Sequence, residues 1–305
     1  MGEKSPAIYG LIGYPVKHSL SPAMHNAAFE HLGINATYRL FEIKPELLRD
    51  FLLEDIKLRD TEGDPFSSQE IVGFNITIPH KVRALEIARL VEGTLTFTYH
   101  DVLMAGAINT VKREKGAWQY QNYDVEGFVK SLHEDLKYNT EGKNAFVFGC
   151  GGAGRAVIAG LTRKGMGIRR IYIYEPNEEA RDSAQKHFPK PASSKEDILE
   201  FIPEEQIAAI LKCSDLLVNA SPVGMKEGDG SIVAQDLLHD GLSVYDVVYN
   251  RETQLLKDAG ARGLRTAGGF GMLLYQGAAA FEFWTGKKAP IEVMRQALTG
   301  ALAKC

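Results

Sequence analysis

Cysteine is scarce in this chain: Cys150, Cys213 and Cys305 are the only three among 305 residues. They are odd in number and far apart, and they form no C-x-x-C pair. That argues against a disulfide framework or a cysteine zinc site and fits a reduced, cytoplasmic protein. No apolar run is long enough to span a bilayer. The opening MGEKSPAIYG has no apolar stretch of signal-peptide kind, and Pro6 stands where a myristoylation signal needs Ser or Thr. Neither sign of charge dominates: 35 Lys and Arg face 39 Asp and Glu, a net charge of only −4. No basic stripe suits nucleic acid or a membrane surface; Arg169-Arg170 and Lys287-Lys288 read as solvated faces. Internal repeats and low-complexity tracts are absent too. What remains is an ordinary globular balance, 45% hydrophobic and 24% charged, in a chain long enough for two domains.

Residues 7–13, AIYGLIG, predict a buried strand. Ser21-Pro22 predicts a helix start, with Ser21 at the cap and Pro22 at the first helical position; the helix runs to His31 and stops at Gly33. A strand over 36–43 leads to Pro45 and a helix. The stretch LRDTEGDPFSSQE, within 54–70, reads as a surface loop or insertion. In GFNITIPHK, residues 73–81, Phe74, Ile76 and Ile78 alternate with Asn75 and Thr77, then Pro79 ends the ladder and Lys81 follows. Short strands over 107–112 and 117–122 flank REKG, which predicts a hairpin turn. A helix begins near Asp124. From residue 144 the rhythm changes: the apolar strand NAFVFG, a glycine turn, the helix RAVIAGLTRKG, the strand RRIYIYE, the helix NEEARDSAQKHF, then the strands SDLLVNAS and LSVYDVVYN. Strands alternating with helices predict a parallel, doubly wound sheet. The chain closes in two helices from about Gly271, and the first half also reads as an α/β layer.

Gly149, Gly151 and Gly154 satisfy G-x-G-x-x-G, in the turn Gly149-Cys150-Gly151-Gly152-Ala153-Gly154. The turn follows an apolar strand and opens a helix, the context in which glycines let a backbone approach a pyrophosphate beside free helix N–H groups. Glu175 ends the next strand, 21 positions after Gly154. There an acid accepts hydrogen bonds from adenosine ribose hydroxyls and repels a 2′-phosphate. Pro176 and Asn177 follow it instead of an arginine, so NAD is favoured over NADP, although Arg155, Arg170 or Arg181 could still fold over a phosphate. The histidines His18, His25 and His80 show no metal-ligand spacing and read as surface residues or as support behind the motifs.

Taken in order, HSLSPAMHN, GFNITIPHK, AGAINTV, NYDVEGF, GCGGAGRA, NASPVGM, YDVVYN and GGFGMLLYQGAAAF resemble the shikimate dehydrogenase family, including its quinate/shikimate branch, over nearly the whole chain. The resemblance implies two α/β domains. One is an N-terminal substrate domain completed by the C-terminal helices, residues 1–123 plus 270–305. The other is a Rossmann-type doubly wound dinucleotide-binding domain, residues 124–269. It implies that Ser19 and Ser21 bind a substrate carboxylate, and that Asn75, Thr77, Lys81, Asn109 and Asp124 meet ring hydroxyls. Tyr249 and Gln276 would close over the substrate, and Lys81 and Asp124 would be the catalytic pair. Asn219, Ser221, Gly224, Met225, Gly271 and Met272 would lie near the nicotinamide.

The implied reaction is the NAD(P)-dependent interconversion of 3-dehydroshikimate and shikimate, a step in aromatic amino-acid biosynthesis. The partners are then small molecules, with no nucleic acid, membrane or metal, and the protein is a monomer or homodimer. Short Asn, Ser and Thr side chains suit a small ring with one carboxylate and several hydroxyls, because each buried polar group left unpaired costs about 1–3 kcal/mol.

Two departures matter. Tyr123 and Val125 stand where the family usually has a small hydroxyl residue and a glycine. Glu175-Pro176-Asn177 replaces the N-R-T of NADP-dependent members, which supports NAD and with it quinate as an alternative substrate; Ser21, often threonine in quinate users, argues against quinate. A ring-acid sensor without turnover is the non-enzymatic alternative, and the Lys81/Asp124 pair argues against it.

Overall fold

The computed structural model of the chain describes residues 5–92, 100–114, 117–188 and 198–304. Cys305 and the turn expected at Lys115-Gly116 lie outside them. The chain divides into two compact units, Met1–Tyr123 with Leu274–Cys305, and Asp124–Leu273.

The first unit contains, in chain order, β1 (Ala7–Gly13), α1 (Ser21–His31), β2 (Ala36–Glu42), α2 (Leu48–Leu53), β3 (Lys57–Arg59), β4 (Pro65–Ser67), β5 (Ile71–Ile76), α3 (Lys81–Glu92), α4 (His100–Ala105), β6 (Thr110–Glu114) and β7 (Ala117–Gln121). The second contains α5 (Tyr123–Glu134, whose first residue belongs to the first unit), β8 (Asn144–Phe148), α6 (Gly152–Leu161), β9 (Arg170–Tyr174), α7 (Glu178–His187), β10 (Leu199–Phe201), α8 (Ile207–Leu211), β11 (Leu216–Asn219), β12 (Ser243–Asp246), α9 (Gln254–Ala261) and β13 (Thr266–Gly268). α10 (Phe270–Thr285) enters the first unit at Leu274, and α11 (Ile291–Leu302) follows there.

The sheet of the first unit has the order β2-β1-β5-β6-β7. Its first three strands are parallel and the last two antiparallel. On one face Ile12, Phe41, Phe74 and Ile76 pack with Ala84, Leu85 and Ala88 of α3; cutting Leu85 back to alanine is expected to cost about 2–5 kcal/mol. The other face is an aromatic layer in which Phe29 packs on Tyr9, Tyr9 on Trp284, and Trp284 on both His25 and Tyr38, which stack on each other, with ring centroids 4.4–6.1 Å apart in these pairs. Trp284, on α10, donates its indole N–H to the Val111 carbonyl at 2.9 Å. Gly73 makes that approach possible, since a Cβ there would lie 2.7 Å from the indole ring.

The stretch expected as a loop within 54–70 is instead a small antiparallel hairpin, β3 with β4. Its tip is organised by Asp60, whose carboxylate accepts from the Arg39 guanidinium at 2.6 Å and from the Glu62 and Asp64 N–H groups at 3.0 and 2.9 Å. A partner twenty-one residues upstream supplies order that local composition does not reveal.

In the second unit the sheet order is β10-β9-β8-β11-β12-β13, all parallel. This is the 3-2-1-4-5-6 order of doubly wound dinucleotide-binding folds. Both faces are covered, which is why these strands read as apolar runs without alternation. Ala145, Val147 and Val218 join Phe128, Val157 and Leu161 on one side. Phe146, Leu217 and Val244 join Leu255, Leu256 and Ala259 of α9 on the other. Among the described residues no helix is long and apolar enough to cross a membrane, and no cluster of three metal-ligating side chains occurs.

Candidate active site

In the first unit β1 leads through α1 to β2 on one flank, while β5 lies on the other. The carboxyl ends of β1 and β5 thus bound the kind of crevice in which open α/β sheets bind ligands. The segment after β5 is stitched to the end of β1: Thr77 N–H donates to the Ile12 carbonyl at 2.9 Å, and Tyr14 N–H to the Ile78 carbonyl at 3.0 Å. Thr77 is half-buried against Gly13. His80 N–H donates to the Thr77 carbonyl at 2.9 Å, closing the turn that delivers Lys81 to the start of α3. There Lys81 is half-buried, in a helix first turn that disfavours a cation. Its carbonyl accepts from Ile108 N–H at 2.9 Å, which brings the Asn109 segment alongside.

Ser21 is not the helix cap. α1 begins at Ser21 itself, Leu20 is the capping position, and no side chain caps the helix. Instead Ser21 N–H donates to Ser19 Oγ at 3.3 Å, and Ser19 Oγ donates to Ser21 Oγ at 3.2 Å. The proton of the Ser21 hydroxyl meets no protein acceptor among the described residues. Both hydroxyls sit at the positive end of an eleven-residue helix.

Asn75 and Asn109 are both buried, at 4% and 2% exposure, but they are engaged differently. Asn75 Oδ1 accepts from the Tyr38 hydroxyl at 2.8 Å, and its Nδ2 donates to Thr110 Oγ1 at 2.9 Å and to the Asn109 carbonyl at 3.3 Å. Asn109 Oδ1 accepts from Thr110 Oγ1 at 2.9 Å and from Tyr123 N–H at 2.8 Å. Asp124, the first residue of the second unit, is buried in the first turn of α5. The chain reaching it is fixed by that Tyr123 bond and by Asn122 Nδ2 donating to the Ala107 carbonyl at 2.9 Å. The Tyr123 ring turns onto Phe283 at 5.9 Å in edge contact, and Val125 is fully buried.

In the second unit the switch point lies between β8 and β11, and the glycine turn sits there. Gly149 has φ +95° and lies so close to the backbone of Ala220 and Ser221 that a Cβ would come within 2.9–3.0 Å. Gly154 is pressed onto the Gly149 carbonyl with no room for a Cβ, whereas a Cβ on Gly151 would meet nothing within 4 Å. Gly151 is also the N-cap of α6 and no side chain caps that helix, which leaves the N–H groups of the first turn facing open space, the cradle a pyrophosphate requires. Glu175 follows β9. Its Oε2 accepts from Cys150 N–H at 2.8 Å and its Oε1 from Asn177 N–H at 3.0 Å. Two backbone donors therefore hold this carboxylate at the turn, while Arg181 donates to the Glu175 carbonyl at 3.4 Å. Burial, with Glu175 alongside, pushes the Cys150 thiol up to about 12, so it stays protonated and unreactive.

A model of the shikimate dehydrogenase substrate-binding domain matches residues 11–111, and one of the shikimate 5′-dehydrogenase C-terminal domain matches residues 269–299. A relative from Methanopyrus kandleri, shikimate dehydrogenase (NADP(+)), is 38% identical over 95% of this chain and 94% of its own. The chain belongs to the shikimate dehydrogenase family. The crystal structure of the shikimate dehydrogenase of Aquifex aeolicus superposes with a TM-score of 0.78 at 33% identity, covering 98% of this chain and 99% of that one. A shikimate 5-dehydrogenase from Listeria monocytogenes, solved in complex with shikimate and NAD, gives a TM-score of 0.74 at 29% identity over 96% of each chain.

The other residues that the family resemblance singles out are placed as follows. Tyr249 is half-buried in the segment after β12. Gln276 lies on α10 in the first unit, 7% exposed. Asn219, at the end of β11, is committed to its own loop and to β12: Nδ2 donates to the Val223 carbonyl and to Asp246 Oδ1, both at 3.0 Å, and Oδ1 accepts from the N–H and hydroxyl of Ser221 at 3.1 and 2.7 Å. It shapes the turn that carries Gly224 and the exposed Met225. Burial raises the pKa of Asp246 against the hydrogen bonds it accepts from Thr253, Val248 and Asn219. Gly271 is packed against Ser131 and Asp135, and the Met272 side chain belongs to the core of the second unit.

Sequence reasoning missed Tyr38, Thr110 and Asp246. Each is hydrogen-bonded to a partner at least twenty-seven positions away, and no local pattern marks such a pairing. His18 is exposed as expected. His25 and His80 are not surface residues but buried ones, at 0% and 1% exposure.

Proposed function

We propose that the protein is a shikimate dehydrogenase, interconverting shikimate and 3-dehydroshikimate with a nicotinamide dinucleotide in the route to aromatic amino acids. The observation that carries this reading is the Ser19–Ser21 pair. Its hydroxyls are 3.2 Å apart, the capping position of α1 is held by Leu20, which offers no side-chain acceptor, and the pair stands at the positive end of that helix, a seat for a carboxylate. Thr77, Lys81 and Asn109 stand at the ends of the adjoining strand and turn, where a polyhydroxylated ring held by that seat meets them. Lys81 takes the hydroxyl proton in the oxidative direction and returns it in reduction, and Asp124 orients the exchange. The bound nicotinamide supplies the hydride acceptor, and Gly149, Gly151, Gly152, Ala153 and Gly154 hold the pyrophosphate of the same molecule.

NAD is the preferred dinucleotide in this reading, although NADP(+) stands in the name of the Methanopyrus kandleri relative. Support comes from Glu175, whose carboxylate is pinned by the N–H groups of Cys150 and Asn177. Fixed at that place, an anion accepts from ribose hydroxyls and opposes a 2′-phosphate. Initial rates for shikimate and quinate, each with NAD and NADP, test the whole proposal. The expected result is the highest kcat/KM for shikimate with NAD. No reduction of either dinucleotide with shikimate would end the substrate assignment, and a strong preference for NADP would end the role given to Glu175.

A further inference from the structure

The first unit contains a directed chain of side-chain hydrogen bonds that ends on Asn109. The Tyr38 hydroxyl donates to Asn75 Oδ1 at 2.8 Å, Asn75 Nδ2 donates to Thr110 Oγ1 at 2.9 Å, and Thr110 Oγ1 donates to Asn109 Oδ1 at 2.9 Å. Direction matters at every link. Thr110 has a single hydroxyl proton; since its oxygen accepts from Asn75, that proton goes to Asn109. The orientation of the terminal amide is doubly determined, because Asn109 Oδ1 also accepts from Tyr123 N–H at 2.8 Å. Turning the amide over would set two N–H donors against each other in a buried place.

The two asparagines therefore end in opposite states. Both hydrogens of Asn75 Nδ2 are engaged, by Thr110 and by the Asn109 carbonyl, so Asn75 has no donor left for a ligand. Asn109 Nδ2 donates to no protein group among the described residues. With its oxygen occupied twice, that side chain presents donors alone.

We propose that Thr110 and Tyr38 are positioning residues that lock the Asn109 amide with its two N–H donors facing the ring acid, and that Asn75 is a link in this lock and no substrate ligand. The site then reads an acceptor oxygen on the substrate at this point. Thr110 is fully buried and acts only through Asn109. This inference rests on the substrate reading above, and the test separates the two.

Steady-state shikimate oxidation is measured for wild type, Thr110→Val, Thr110→Ser, Tyr38→Phe and Asn109→Asp, with thermal melting of each as the check on folding. Thr110→Val keeps the shape and removes the hydroxyl. It is expected to raise the KM for shikimate about tenfold, the value of one lost neutral hydrogen bond, with kcat and the dinucleotide KM held within about threefold. Thr110→Ser restores the relay and the wild-type KM. Tyr38→Phe, which breaks the chain two links upstream, raises KM by a smaller factor and carries the test if the valine variant does not fold. Asn109→Asp exchanges the donors for an anion and raises KM more than any of these. An unchanged KM in Thr110→Val, an equal rise in Thr110→Ser, or an unaffected Asn109→Asp would each overturn the lock while leaving shikimate dehydrogenase activity standing. Wild-type protein inert toward shikimate would instead overturn the substrate reading, and this inference with it.

Discussion

His25 is buried completely, and neither ring nitrogen has a hydrogen-bond partner. Its ring stacks on Tyr38 at 4.4 Å with planes 9° apart and lies 5.3 Å from Trp284, while Gly277 of α10 adjoins its Nε2. Burial alone draws its pKa down from 6.5 to about 3. The sign follows from linkage. The unfolded chain takes up a proton near pH 6.5 and the folded chain does not, so stability present above that pH is lost as pH falls toward about 3.

At pH 5 the loss from this one ring is about 2 kcal/mol. That value depends almost entirely on the unfolded pKa, provided the folded one stays below about 4. His80, lowered by burial against its bond to the Ile43 carbonyl, adds in the same direction, and the raised Asp246 acts oppositely, so total acid sensitivity is not diagnostic. The diagnostic quantity is the difference between wild type and His25→Phe, which keeps the stack and removes the titration. Both tryptophans, Trp118 and Trp284, lie in the same unit as His25, so urea unfolding followed by tryptophan fluorescence reports on the correct half of the chain. Between pH 7 and pH 5 the wild-type midpoint is expected to fall by on the order of 1 M urea more than that of the variant. Parallel losses in the two proteins would refute the reasoning, whatever their absolute stabilities.

Other perturbations have equally definite outcomes. Lys81→Ala should lower kcat by about 10²–10⁴ with a much smaller change in the shikimate KM; full activity in initial-rate assays would remove the proton-transfer role. Glu175→Ser should lower kcat/KM with NAD and raise it with NADP, read as the ratio of the two; an unchanged ratio would show that the carboxylate does not discriminate. Gly151→Ala should fold with stability within about 0.5 kcal/mol of wild type and raise the dinucleotide KM, because a methyl group there meets only open space. Gly154→Ala should instead be several kcal/mol less stable in thermal unfolding, because its methyl group meets the Gly149 carbonyl; equal behaviour of the two variants would contradict the packing described for the turn.

Much of the second unit was legible because its cues are local. An apolar strand, a glycine turn and a helix stand consecutively at 144–161, and burial on both faces removes any ambiguity of period. In the first unit the strands of GFNITIPHK and AIYGLIG were equally plain. What sequence could not show depends on distant partners. Ser21 is the exception: its partners Leu20 and Ser19 are adjacent, but a Ser-Pro start fits more than one first helical residue, and here Leu20 takes the capping position while the Ser19 hydroxyl takes the Ser21 N–H. The hairpin within 54–70 owes its order to Arg39, and each of its strands is three residues long, too short for any period to appear. Asn75 and Asn109 look alike in the sequence, and only the hydrogen bonds around Thr110 reveal that one has donors to offer and the other has none.

Trp284 carries a further implication for how the chain is made. The indole that fills the niche at Gly73 and bonds Val111 arrives 173 residues after its acceptor. On a ribosome the first 123 residues therefore emerge with their aromatic face uncovered, and it stays so until α10 has been synthesised. The intervening unit is one unbroken segment and can complete its own sheet first. The half of the enzyme that is translated earliest is thus the last to finish folding, and a truncation between Leu273 and Trp284 would leave a second unit with its whole sequence attached to an N-terminal half that lacks the Trp284 indole and exposes aromatic residues to chaperones and proteases.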